Sequence, residues 1–121
     1  MTMASTLKHD IENQLGIILG YCQLLLAELS TEGDCRSDIE HVEGAARRLV
    51  AIADGLADAT RPSSELSDEG ANQLTNVVRS CTCILARLPV TDPLVADVEE
   101  MLRAAHAVTH LLPSPRFSAV T

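Results

Sequence analysis

An internal repeat constrains the fold of this chain more than any other feature of its sequence. Residues 5–53 align with residues 64–112 at an offset of 59 positions, without a gap. Thirteen of the 49 aligned pairs are identical, at positions 5, 7, 13, 14, 15, 22, 26, 27, 29, 38, 40, 45 and 46 of the first copy. Helical periodicity alone would not bring an Asn-Gln-Leu triplet and a cysteine into one register. The sequence therefore predicts two copies of one structural unit.

Each copy carries two amphipathic helical patterns separated by a turn. In the first copy, apolar residues recur three or four positions apart, as on one face of an α-helix, at Ile11, Leu15, Ile18, Cys22, Leu25 and Leu29. The second helix is predicted to begin at Ser37, because Ser37 and Glu40 have the spacing of a capping box. Pro62 separates the copies, and Asp92 and Pro93 are suited to the N-cap and first position of a fourth helix.

These patterns predict an all-α fold, a four-helix up-down bundle made of two pseudo-symmetric helical hairpins. One hairpin cannot bury its apolar stripe alone, so the second must cover the first. We expect residues 1–121 to form a single domain, with the first hairpin at 5–58, the second at 64–112 and a flexible tail at 113–121. Packing about a pseudo-twofold axis is expected to place helix one against helix three. It would make the protein a monomer that is an intramolecular pseudo-dimer.

Composition and charge limit the classes of function that the sequence allows. The net charge of −8 at pH 7 argues against binding to nucleic acid, which needs a basic face. No apolar run reaches the roughly 18 residues of a membrane span and no signal peptide is visible, so we expect a cytoplasmic protein. Its four cysteines are then reduced thiols, with a disulfide between Cys22 and Cys81 as the alternative. The pair His106 and His110 lacks a third ligand, so no metal site is predicted.

The segment HDIENQLGIILGYCQLLL, residues 9–26, resembles the phosphoacceptor box of sensor histidine kinases. This box belongs to their dimerisation and histidine phosphotransfer domain (HisKA or DHp-like). It has a histidine, an acidic residue, two variable positions and Asn or Thr, followed by a Leu, an aliphatic pair and often a Gly. The matching residues here are His9, Asp10, Asn13, Leu15, Ile18, Leu19 and Gly20. The resemblance implies a bundle in which the second hairpin replaces the second chain of the family's dimer.

The resemblance also implies a role for the polar residues of the box. His9 would take a phosphoryl group on a ring nitrogen, and Asp10 would hydrogen-bond the other ring nitrogen. Asn13 would orient a water molecule or the phosphoryl group. The donor or acceptor would be an aspartate of a response-regulator receiver domain, and a sensor histidine kinase is a further expected partner. No cofactor is expected on this chain, because the receiver would bring its own Mg²⁺; no glycine-rich phosphate loop is present for ATP.

A strip of α-helical positions distinct from the core stripe is predicted to be the docking surface for that partner. Glycine inside a helix costs about 1 kcal/mol relative to alanine, a cost that close approach of another helix would explain. A tight helix contact inside the bundle is the alternative explanation for the glycines. Basic residues would attract the acidic surface of a receiver, or else form an ordinary solvated face. The predicted partner-binding residues are Lys8, Glu12, Gly16, Gly20 and Arg47.

Several alternatives remain open at this level. The second copy has Asp68 in place of His9, so one phosphoacceptor per molecule is expected. Asn13 recurs as Asn72 where the histidine does not, which is also compatible with a shared structural role. His9 could be an ordinary exposed histidine. The alternative function is a non-catalytic interaction module that binds or inhibits a sensor kinase or a response regulator.

Overall fold

The computed structural model describes residues 3–29, 34–56 and 63–112, with side chains described for 6–29, 35–55 and 68–112. Its four helices are α1 (Met3–Glu28), α2 (Asp34–Leu56), α3 (Ser63–Arg87) and α4 (Leu94–Leu111). Helix α1 packs against α2 and α4, and α3 packs against the same two helices. The predicted all-α four-helix up-down bundle is confirmed. The tail predicted at 113–121 lies outside the described residues.

The order of the helices around the bundle corrects one expectation. Among the described residues, α1 and α3 lie diagonally opposite each other instead of side by side. Each connection between helix ends spans only five or six residues, so each helix lies beside the one before it. The fourth helix then closes the square against the first. A pseudo-twofold axis along the bundle remains compatible with this order, because it exchanges α1 with α3 and α2 with α4.

The sequence repeat is reflected in the core. Ten aligned pairs are buried in both hairpins. They are Ile11 and Gly70, Leu15 and Leu74, Ile18 and Val77, Cys22 and Cys81, Leu25 and Ile84, Ile39 and Val98, Val42 and Met101, Ala45 and Ala104, Ala46 and Ala105, and Leu49 and Val108. Equivalent positions therefore face the same interior, and the exposed positions of the two copies can be compared in the same register.

The helix ends show where local sequence sets the boundaries. Asp92 contacts the start of the fourth helix as predicted, since the Leu94 N–H donates to Asp92 Oδ1 at 2.9 Å. The helix itself begins at Leu94, one residue after the predicted Pro93, which has a helical φ of −57°. The second helix begins at Asp34, earlier than the predicted start at Ser37. The intervening residues contain no helix breaker. Arg36 also donates to the Leu26 carbonyl at 2.9 Å, which satisfies an acceptor in the last turn of α1.

Helix α1 is the longest of the four and carries apolar residues outside its buried stripe. Ile17 and Leu24 are 41% and 47% exposed. Even so, no helix in the described part of the chain is long and apolar enough to cross a membrane. Ile17 and Leu24 lie on the surface of the bundle.

Candidate functional site

His9 lies on the solvent-facing side of α1, and 67% of its side chain is exposed. The ring atom Nδ1 lies 3.9 Å from Oε1 of Glu12, one helical turn further on. That distance is within ion-pair range but longer than a hydrogen bond. No other polar contact of the ring is found among the residues with described side chains. The predicted phosphoacceptor is therefore accessible from solvent.

The carboxylate beside the His9 ring belongs to Glu12, whereas Asp10 was expected to hold the ring. Successive residues of an α-helix point about 100° apart, so Asp10 does not face the ring of its neighbour. Glu12 is three residues on, where side chains of one helix do meet. The sequence pattern placed Glu12 in the partner surface. Glu12 follows His9 by three residues, and this spacing was the sequence feature that could have predicted their contact.

Asp10 and Asn13 face a groove between α1 and α4. The groove has a volume of about 370 Å³, and Gln14 completes its α1 side. The α4 side is formed by Ala107, His110 and Leu111. His9 is not among the residues that line this groove, although Asn13 lies one helical turn from His9 on the same side of α1.

The two glycines of the predicted docking strip face open space. A Cβ atom on Gly16 or Gly20 would meet no other atom within 4 Å. A tight helix contact inside the bundle, the alternative explanation for these glycines, is therefore not what the structure shows. They belong to an exposed surface that we call the α1 outer face, formed by Asn13, Gly16, Ile17, Gly20 and Leu24. This surface begins at Asn13, one helical turn after His9, and is mostly apolar.

The second hairpin provides a matched comparison for the α1 outer face. The equivalent positions on α3 carry polar or small thiol side chains, and all are exposed: Asn72, Thr75, Asn76, Arg79 and Cys83. Two helices with the same buried stripe and the same place in the bundle therefore present different outer surfaces. The apolar character of the α1 outer face is not required by the fold, which is typical of an interaction surface.

The predicted basic residues are held in ion pairs with α2 carboxylates. Lys8 Nζ lies 3.3 Å from Asp54 Oδ1, and Arg47 Nη2 lies 3.6 Å from Glu43 Oε2. Surface pairs of this kind contribute about 0–1 kcal/mol each. Lys8 is adjacent to His9, but Arg47 stands seven residues from Asp54 along α2, about 10 Å towards the middle of the bundle. The structure does not bring Arg47 together with His9.

The four cysteines are free thiols. Burial, together with the nearby carboxylate of Glu43, raises the pKa of Cys22 to about 12. Burial likewise raises the pKa of Cys81 to about 12. Cys22 Sγ lies 3.8 Å from Met101 Sδ, inside the core. These two thiols are protonated at neutral pH and act as small core residues, without nucleophilic reactivity.

A metal site is also absent from the part of the chain whose side chains are described. No group of three or more His, Cys, Asp or Glu residues there could hold a metal ion. His110 lines the groove between α1 and α4, and His106 is exposed on the same helix.

Comparison with known proteins identified no relative of this chain. No family model matches the sequence, and neither a curated protein nor a solved structure matches it. By its architecture the protein belongs to the all-α four-helix bundles, with one exposed histidine above an apolar surface on its first helix. The resemblance to the phosphoacceptor box of histidine kinases stays a prediction that rests on residues 9–26.

Proposed function

We propose that this protein is a histidine phosphotransfer protein of a two-component or phosphorelay pathway in the cytoplasm. It exchanges a phosphoryl group between His9 and the aspartate of a response-regulator receiver domain. The observation that carries the proposal is the exposure of the His9 ring on the outside of a four-helix bundle. An imidazole that exchanges phosphate with another protein must enter that protein's active site, which a ring in the core could not do.

The contact with Glu12 favours one ring nitrogen as the nucleophile. A carboxylate within reach of Nδ1 would favour the tautomer that carries its proton on that atom, and the lone pair for attack would then be on Nε2. Nε2 would attack the phosphorus of the receiver's aspartyl phosphate, forming a P–N bond as the P–O bond to the aspartate breaks. The aspartate leaves as a carboxylate, and Glu12 balances the positive charge that develops on the ring. The Mg²⁺ of the receiver would neutralise charge on the phosphoryl oxygens.

The surface below His9 supports docking of a second protein. Gly16 and Gly20 leave room for a close approach along α1. Ile17 and Leu24 offer apolar contact area beside them. Binding would position the receiver's aspartate against His9, and phosphoryl transfer depends mainly on positioning and charge stabilisation.

Phosphotransfer from purified receiver domains tests the proposal. A panel of receivers labelled on their aspartate is incubated with the wild-type protein, with His9→Ala and with His106→Ala. His106 is a matched control because it is also an exposed histidine on the surface of the bundle. We expect an acid-labile, base-stable label on the wild type and on His106→Ala, and none on His9→Ala. Labelling of His9→Ala at the wild-type level would refute the assignment of the acceptor.

The α1 outer face also favours a second candidate, a non-catalytic module that binds a receiver or a sensor kinase. An exposed apolar surface can bind a partner whether or not His9 ever carries phosphate. The same panel separates the two functions when binding is measured beside labelling. Equal receiver binding by wild type and His9→Ala, with no label transferred to either, would establish the binding module in place of phosphotransfer.

A further inference from the structure

A groove between α2 and α3 collects cationic and polar side chains that the proposed function does not use. Its volume is about 480 Å³. The side chains that matter here are two arginines, two amides, a histidine and a hydroxyl: Arg48, Arg79, Gln73, Asn76, His41 and Ser80. We propose that this groove binds the phosphate group of a small phosphorylated ligand. The site is separate from His9 and does not depend on the phosphotransfer function.

The two arginines of the groove provide positive charge that no ion pair in the described part of the chain uses. Arg48 and Arg79 are exposed, and neither forms an ion pair with a residue in the described part of the chain. They come from different helices and line the same groove. Two such cations on one groove have the opposite sign to the net charge of the chain, which is −8.

The carboxylates that line the groove are already paired with other arginines. Asp38 forms an ion pair with Arg87. Oε2 of Glu40 lies 3.9 Å from Nε of Arg36. Because those arginines are not part of the groove lining, they neutralise its acidic residues without using its own cations. Arg48 and Arg79 are therefore left available to bind an anion.

The pseudo-symmetric groove between α4 and α1 shows that this polarity is not imposed by the fold. The repeat places alanine or glycine at the positions of the two arginines and apolar or aromatic residues at those of Asn76 and Ser80, whereas Gln73 and His41 correspond to the polar residues Gln14 and Glu100. Ala107 corresponds to Arg48, Ile17 to Asn76, Gly20 to Arg79 and Tyr21 to Ser80. The shared core therefore does not require an arginine at either position, and the pair in the α2–α3 groove is specific to that groove.

A phosphate monoester matches this donor set better than a carboxylate does. Its two negative charges balance two guanidinium groups, whose planar forks donate paired hydrogen bonds to phosphate oxygens. A single carboxylate would leave one arginine without a counter-charge. The amides and the hydroxyl can donate to the remaining oxygens. Gly44, which also lines the groove, has open space within 4 Å of the Cβ position, so the body of a ligand has room there.

Titration with inorganic phosphate and pyrophosphate, followed by amide NMR at constant ionic strength, tests the proposal. We expect saturable shifts at Gly44, Arg48, Asn76 and Arg79. Arg48→Ala or Arg79→Ala should weaken the affinity by about tenfold or more, since hydrogen bonds between charged groups are the strong ones. Arg47→Ala is the matched control, because it removes a neighbouring exposed arginine that is already paired with Glu43. It should bind as the wild type does.

Three outcomes would overturn the site. They are the absence of saturable binding, an equal loss in Arg47→Ala and in Arg48→Ala, and binding of citrate as tight as that of pyrophosphate. Titration of His9→Ala keeps this inference separate from the proposed function. Phosphate binding that survives in His9→Ala supports an independent site, whereas its loss there would assign the anion to the His9 region.

Discussion

Leu112 occupies the space that a side chain at position 70 would need. Its Cδ1 atom lies 2.8 Å from where a Cβ atom on Gly70 would stand. The equivalent positions in the first hairpin are Ile11 and Ala53, and both are buried. Each hairpin therefore has one large and one small residue at this pair of positions. The large residue is at the first position in the first hairpin and at the second position in the second hairpin. The summed side-chain volume is thus similar in the two hairpins, although the residues at both positions differ.

Exchanging the small and the large residue at positions 70 and 112 tests this relationship. Gly70→Ile should destabilise the protein by roughly 1–3 kcal/mol, because the new side chain overlaps Leu112. Leu112→Ala should also destabilise it, since it removes a packed side chain. The double variant restores the pairing of the first hairpin and should be more stable than the sum of the single effects predicts. Urea denaturation measures the cycle; additive effects would contradict the direct contact.

Alanine at the open glycines of α1 should stabilise the fold. Gly16→Ala and Gly20→Ala should each raise the free energy of unfolding by up to about 1 kcal/mol, because the methyl group meets nothing and alanine favours helix. Gly70→Ala is the matched comparison and should gain less, since its methyl group displaces Leu112. Urea denaturation measures all three. If the α1 outer face docks a receiver, the more stable variants should nevertheless bind that receiver more weakly.

The buried thiols predict a loss of stability in alkaline solution. Cys22 and Cys81 have pKa values of about 12 in the folded protein, against 9.0 for a free thiol. As the pH rises above 9, the unfolded chain loses these protons first, so the free energy of unfolding should fall. Each thiol contributes about 1.4 kcal/mol per pH unit, until the folded-state pKa is reached. Cys22→Ala with Cys81→Ala should show a shallower slope between about pH 9 and 10.5 by chemical denaturation; an unchanged slope would contradict the burial of the thiols.

We expect the protein to be a monomer, because its two hairpins complete one bundle within a single chain. Light scattering should give a mass near 13.0 kDa over a wide range of concentration. Ile17 and Leu24 are large apolar residues exposed on one face of α1, so self-association through that face would depend on them. A stable dimer that dissociates in Ile17→Ser and Leu24→Ser would show that the α1 outer face binds a second copy of this chain.

His9→Ala should leave stability unchanged within about 0.5 kcal/mol, as expected for a surface residue with no packed contacts. Its side chain is 67% exposed, and its one ionic contact, to Glu12, is 3.9 Å long. Thermal denaturation of the two proteins checks this. A large loss of stability would mean that the ring has a structural role, and the labelling experiment would then need a variant that still folds.

Much of the core could be predicted from the spacing of apolar residues. Ile11, Leu15, Ile18, Cys22 and Leu25 are all buried, because a helix brings residues three and four apart onto one face. The last member of the predicted stripe, Leu29, is only partly buried, because it follows the end of α1. The start of α4 was likewise predictable, since a cap is formed by residues adjacent in sequence. The start of α2 was not predictable in this way, because the Ser37 capping pattern lies inside the helix and no helix breaker separates Ser37 from Asp34.

Relations between helices needed the folded chain. The sequence pattern assigned both Lys8 and Arg47 to the partner surface, but only the structure shows that they lie on different helices and pair with different carboxylates. It assigned Asp10 to the imidazole, although the directions of side chains on the helix bring Glu12 there. The convergence of Arg48 and Arg79 on one groove had no sequence signal, since 31 positions separate them along the chain.

The sequence by itself determined the helical class, the repeat and the buried stripe of each helix. These follow from local backbone periodicity and from the similarity of the two copies, both of which are written along the chain. Only the tertiary structure decided that α1 and α3 are diagonal, which carboxylate meets His9, and that Arg48 and Arg79 line one groove. Each of these depends on distances between side chains on separate turns or helices, and such distances exist only after the helices have packed.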